Sequence, residues 1–204
     1  MSLLNNFIFY FFMENYYSFR MKSNSHSVIE LNTTDKRGYS FVAPYLVTTA
    51  KEKLPKEVSF QVAKGKRWTD IIVYHQSVSL NFYSQKLIDV LSKFIDISNI
   101  SYPIHIEACD TKYYVLYNLK EFTFLNQQNF FEAPLFLQSE EVPSLFALTK
   151  SNLIICAPVV KNEIIKEKLT NVYFSDAIGL TLDEYQERMF SIEKKQQFLD
   201  QAEL

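Results

Sequence analysis

Three histidines, two cysteines and a few adjacent carboxylates are the side chains in this sequence that could serve as nucleophile, base or metal ligand. His105 and Cys109 share parity on one strand-like run, so they face the same side. Along an extended chain they lie about 13 Å apart, whereas a nucleophile and its base need about 3 Å. The expectation is a histidine hydrogen-bonded to a neighbour, not a catalytic pair. His26 and His75 fall in or beside loops, with no His, Cys or carboxylate at metal-ligand spacing, so four zinc ligands cannot be assembled locally. Glu140-Glu141 and Asp183-Glu184 are adjacent pairs whose members point different ways. The second pair sits in a helical first turn, where the macrodipole already favours negative charge. No Gly-x-Ser-x-Gly elbow occurs. Gly38, Gly65 and Gly179 are too far apart to write a phosphate loop or a dinucleotide fingerprint. Catalytic residues, cofactor and metal are therefore all expected to be none.

Two groups of residues are candidates for binding another molecule. Lys64, Lys66 and Arg67 precede Trp68, the arrangement of a basic tip with an aromatic beside it. A solvated turn is the plain interpretation of so short a cluster; an acidic protein partner and a nucleic acid are the sharper ones. Tyr113, Tyr114 and Tyr117 occupy one strand, with Tyr113 and Tyr117 on one face and Tyr114 on the other. Whichever face meets solvent would present rigid amphipathic surface of the kind enriched at protein interfaces. The plain interpretation is core tyrosine with the hydroxyl at the rim.

The elements that must position these residues come from a chain of 204 residues and 24.0 kDa, 48% hydrophobic, enough for a sizeable core. With 21 basic and 23 acidic residues the net charge is -2, which argues against a dedicated nucleic-acid binder. Two cysteines do not make a disulfide scaffold, and a reducing, cytoplasmic setting follows. Phe7 to Met13 is an apolar aromatic run, far shorter than the roughly 20 residues of a spanning helix. It lacks the flanks of a signal peptide and is expected to be a buried strand.

Val28 to Leu31 reads as a short strand between polar stretches. Val58 to Ala63 alternates with Val58, Phe60 and Val62 inward, and with Trp68 to Tyr74 it predicts a hairpin over 58–74. Leu87, Val90, Leu91 and Phe94 follow Ser84 at helical spacing, with the Ser84 hydroxyl as N-cap. Pro103 to Ala108 and Lys112 to Leu119 predict a second hairpin turning at Cys109-Asp110-Thr111. Leu153 to Ala157 is an apolar strand, Pro158 to Lys168 a helix, and Val172 to Phe174 a short final strand. Thr181 and Glu184 form a capping box for a C-terminal helix. Its stripe Leu182, Tyr185, Met189, Ile192, Gln196, Leu199 suits packing on the chain's own sheet, or a homodimer through residues 182–199.

The order of these pieces from about residue 60 to 176, a little over half the chain, resembles immunity proteins of bacterial polymorphic toxin systems. The nearest likeness is to immunity family eleven, with sibling family forty-three left open. Three blocks carry it. Trp68-Thr69-Asp70-Ile71-Ile72 precedes a short strand and Ser84-Gln85-Lys86-Leu87-Ile88-Asp89-Val90-Leu91. Tyr102-Pro103-Ile104-His105-Ile106 precedes Lys112-Tyr113-Tyr114-Val115-Leu116-Tyr117-Asn118-Leu119. Leu145-Phe146-Ala147-Leu148 and Leu153 to Ala157 precede a helix and Leu169-Thr170-Asn171-Val172-Tyr173-Phe174, where Asn171 stands in place of the family's Gly. The resemblance implies a non-enzymatic α+β protein that binds and blocks a toxin of the same bacterium. It transfers no functional residues, because the matching positions are structural.

The expectation is thus one α+β domain over 1–204, with a mostly antiparallel sheet and about three helices including the C-terminal one. Its partner would be a cognate toxin protein, with no nucleic acid and no membrane involved. The partner-binding candidates are Arg67, Trp68, Tyr113, Tyr114 and Tyr117. A small enzyme of unknown class and a homo-oligomeric scaffold using the C-terminal helix are the alternatives.

Overall fold

The computed structural model describes residues 16–22, 27–126, 130–132, 143–180 and 182–202, with side chains to residue 194 in the last stretch. The expected strand at Phe7 to Met13, together with His26, Glu140-Glu141 and Thr181, lies outside these residues.

Strands β2 (Glu30–Thr33), β3 (Ser59–Lys64), β4 (Ile71–Tyr74), β5 (Ser77–Ser84), β6 (Ser101–Ile106) and β7 (Tyr113–Leu116) close into a barrel in the order β2-β3-β6-β7-β5-β4. A barrel this small leaves room inside only for side chains. Leu31, Phe60, Ile72, Tyr74, Phe82, Tyr113 and Val115 are all buried in the cluster that fills it. Helix α1 (Tyr39–Leu46) covers one side of that cluster with Val42 and Leu46.

The second sheet runs β8-β10-β11-β1-β12-β9, from β8 (Glu121–Phe122), β10 (Leu145–Leu148), β11 (Ile154–Cys156), β1 (Tyr16–Met21), β12 (Val172–Leu180) and β9 (Phe130–Glu132). It curls back on itself. Phe124 bridges Phe131, Leu125 N–H donates to Phe130 O at 2.9 Å, and Glu132 N–H donates to Thr123 O at 2.9 Å. Phe122, Phe131, Phe146, Ile155 and Ala177 pack inside the curl.

Between the two sheets lies a third cluster to which both contribute: Ile71, Tyr83 and Leu116 from the barrel, and Phe19, Leu145 and Ile154 from the second sheet. Helices α2 (Gln85–Leu91) and α3 (Pro158–Lys166) seal it with Leu87, Leu91, Val160 and Ile164. Ser84 caps α2 as expected, its hydroxyl accepting from Leu87 N–H at 3.2 Å.

The expected single, mostly antiparallel sheet with about three helices is overturned. The chain is a strand-rich α+β protein with two curled sheets, one of them closed. Among the described residues there are four α-helices, counting α4 (Leu182–Ala202). Four pairings are parallel: β2–β4, β3–β6, β8–β10 and β9–β12. Parallel partners are joined by long crossovers, which leave no local signature of the kind a hairpin leaves.

The hairpin expected over 58–74 is also corrected, because β3 and β4 do not pair with each other. β2 lies between them, antiparallel to β3 and parallel to β4. Val62, expected to be buried, is 42% exposed. The β2–β3 register is unbroken from Thr33–Phe60 to Leu31–Val62 and shifts only beyond it, where Lys64 pairs with Glu30 and Ala63 is the extra residue. β12 extends six residues beyond the short strand expected, from Val172 to Leu180.

The β6–β7 hairpin forms with Ile104 opposite Tyr113. Ile154–Cys156 is fully buried. Asn171 takes the left-handed conformation expected of a Gly substitute, with φ 61°.

Candidate partner-binding surface

The connection after β3 is fixed by its backbone. Gly65 has φ +85°, and a Cβ added there would sit 2.0 Å from the carbonyl oxygen of Val28. Only glycine permits that approach. Lys66 N–H and Arg67 N–H both donate to Ser27 O, at 2.9 and 2.8 Å, and Ile29 N–H donates to Arg67 O at 3.1 Å. The segment that leads into β2 is thus clamped between the turn and the barrel. The Lys66 and Arg67 side chains are exposed, with no hydrogen bond, ion pair or ring contact among the described residues. Lys64 differs: its ammonium lies 3.1 Å from Glu30 Oε1.

The other candidates are placed unequally. Trp68 is half-buried against the barrel core, its ring centroid 5.4 Å from that of Tyr113. Tyr113 is buried inside the barrel and donates its hydroxyl to Thr69 O at 2.7 Å. Burial pushes its phenol above the ordinary tyrosine range. Tyr117 is buried as well, edge-on to Tyr102 at 5.2 Å, with the Lys53 ammonium 5.5 Å above its ring. Tyr114 alone of the three faces the outside of the barrel. It is half-buried beside α2 and donates its hydroxyl to Gln85 Oε1. Of the five residues, Arg67 is exposed, Trp68 and Tyr114 are half-buried, and Tyr113 and Tyr117 belong to the core. Trp68 and Tyr113 are brought together; Arg67 lies next to Trp68 in sequence, and Tyr114 points to the opposite face of β7.

The nucleophiles and titratable groups are held in structural settings. Cys156 is fully buried, and burial pushes its thiol up to about 12, with the Lys161 charge opposing. Cys109 is half-buried, its sulfur 3.7 Å from Thr111 O. His105 is exposed on β6. No group of three His, Cys, Asp or Glu able to hold a metal ion occurs among the described residues.

Sequence spacing missed one pairing. His75 Nδ1 lies 2.6 Å from Oε2 of Glu30, whose side chain is only 2% exposed. Lys64 holds the other oxygen, so one carboxylate ties β2, β3 and the β4–β5 turn together. The β2–β4 register brings these residues together, and no short-range pattern announces it.

No family model matches the chain, and no curated protein matches it either. Among the described residues, no helix is long and apolar enough to cross a membrane.

Proposed function

We propose that this chain is a bacterial immunity protein that binds a toxin made by the same cell and occludes it, without chemistry of its own. The observation that carries this reading is how the three resembling blocks lie in the fold. The first runs through β4 and β5 into the capped helix α2. The second is the β6–β7 hairpin. The third runs from β10 and β11 through α3 into β12. The first and third are bonded directly: Asp70 of the first accepts from the Thr170 N–H of the third at 2.6 Å. Beside it Asn171 holds, at φ 61°, the turn that the family makes with Gly. Blocks that are separate in sequence thus all contribute to the central cluster, through Ile71 and Leu87, Leu116, and Leu145 and Ile154. The protein would act in the cytoplasm, where its two free thiols would stay reduced.

The test is to co-express the chain with the product of the gene immediately upstream. Protection of the cell, together with co-purification of the two proteins, is the expected result. Absence of both overturns the proposal.

A second reading, a scaffold built from several copies, is favoured by α4. Among the described residues of the stripe expected to pack on the sheet, Leu182 is 56% and Ile192 43% exposed, and Phe190 beside it is 68% exposed. Tyr185 and Met189 are half-buried, Tyr185 lying 6.2 Å from the Phe130 ring.

A further inference from the structure

We propose that Arg67, with Lys66 beside it, is the point at which a carboxylate on the protein partner docks; this rests on the toxin-binding reading above. Three of the chain's four arginines are occupied internally. Arg37 makes a two-point contact with Asp35 and lies 3.4 Å from the centroid of the Phe41 ring. Arg20 lies over Tyr173 at 5.4 Å and Arg188 over Phe130 at 5.0 Å. Arg67 is the exception: its guanidinium has no partner among the described residues, although the backbone beneath it is held by hydrogen bonds to Ser27 and Ile29 and by the close approach of Gly65 to Val28. A fixed backbone lowers the ordering penalty on association, and the guanidinium fork matches a carboxylate bidentately.

The ligand must be met by side chains. The N–H groups of Lys66 and Arg67 already serve Ser27 O, so they cannot form a backbone anion nest. A polynucleotide fits poorly. It needs a run of cations and an open aromatic platform, whereas the tip offers two cations without a partner among the described residues, and Trp68 already lies against Tyr113. What fits is a small acidic patch on a folded protein.

The experiment measures binding of the full chain to the purified product of the upstream gene, at low and high salt, for wild type, Arg67→Glu, Arg67→Lys and the exposed control Lys56→Glu. Arg67→Glu should weaken binding at least about thirtyfold. Arg67→Lys should fall between it and wild type, and Lys56→Glu should match wild type. All four should melt together, because neither side chain is packed. High salt should weaken wild type more than Arg67→Glu. Wild-type binding that Arg67→Glu leaves intact would overturn this docking point while the toxin-binding reading stands. A wild type that does not bind the upstream product overturns both. Arg67-dependent retention of a short single-stranded DNA would overturn the choice of a protein carboxylate.

Discussion

Glu30 shows how one side chain can organise several strands. Burial alone would raise its pKa, but hydrogen bonds from His75 and Lys64 outweigh it and hold the carboxyl below its ordinary value of 4.5. A depressed carboxylate contributes stability that is fully present above the unfolded-state value and is lost as pH falls through the lower, folded-state value. Unfolding free energy should therefore decline as the pH drops from about 4.5 downward. Glu30→Gln should lower stability by about 1–3 kcal/mol at neutral pH, by removing the buried carboxylate that bonds both Lys64 and His75. It should also flatten that part of the acid limb; urea melts of both proteins across the acid range would show whether the limb persists unchanged, which would rule Glu30 out as its source. Gly65 makes the second residue-level prediction. Gly65→Ala forces a Cβ against the Val28 carbonyl at a positive φ, and should destabilise by about 2–4 kcal/mol. A variant as stable as wild type in denaturant would mean the turn can relax. Neither effect was legible in the sequence. Glu30 and His75 are distant in the chain, and no local pattern shows that the Val28 carbonyl lies beneath Gly65.

Elements were legible where their signal was local. Helix α2 was announced by apolar residues at helical spacing and by a serine at the right place; the β6–β7 hairpin by alternation around Cys109-Asp110-Thr111; and β11 by an unbroken apolar run. What the residues could not announce was which strands pair in parallel, because β3 meets β6 and β2 meets β4 across long crossovers. Nor could they show that β2 enters between β3 and β4, the step that cancelled the expected hairpin. The tyrosine strand was half legible: its alternation was right, but both residues of the face holding Tyr113 and Tyr117 are buried. Two predictions belong at this scale. Ser84→Ala removes the α2 cap and its 2.6 Å bond to Asp70, and should lower stability by about 1–2 kcal/mol. Hydrogen exchange localised to the first turn of α2 would report it, and unchanged protection there would count against the cap. In α4, Phe190 is 68% exposed, so Phe190→Ser should change stability by no more than about 0.5 kcal/mol if the chain is a monomer. A larger loss, with a melting temperature that rises with protein concentration, would mean that α4 is covered by a second copy.

At the scale of the whole molecule, the question is whether barrel and second sheet unfold together. They share the central cluster, in which Phe19 and Tyr83 lie 6.4 Å apart across the two sheets. They are also stitched by Asp70, which stands before β4. One carboxylate oxygen accepts from Ser84 Oγ at 2.6 Å, and the other accepts from Thr170 N–H at 2.6 Å and Thr170 Oγ1 at 2.8 Å. Next to this, Asn171 Nδ2 donates to Ile71 O at 3.0 Å, while Lys22 N–H donates to Asn171 O at 2.9 Å. The turn between α3 and β12 is therefore bonded at once to the barrel and to the end of β1. Because the apolar cluster spans the same boundary, neither sheet can open without exposing Ile71, Leu87 and Ile154, each essentially inaccessible in the folded chain. Burial of that kind stabilises by about 1.5–3 kcal/mol per side chain, more than the polar stitch provides. Asp70→Ala should accordingly lower the melting temperature, at a loss of about 1–3 kcal/mol, yet leave a single calorimetric transition whose van't Hoff and calorimetric enthalpies agree. Two transitions in the variant would mean that the stitch, not the shared apolar cluster, makes the two sheets one cooperative unit.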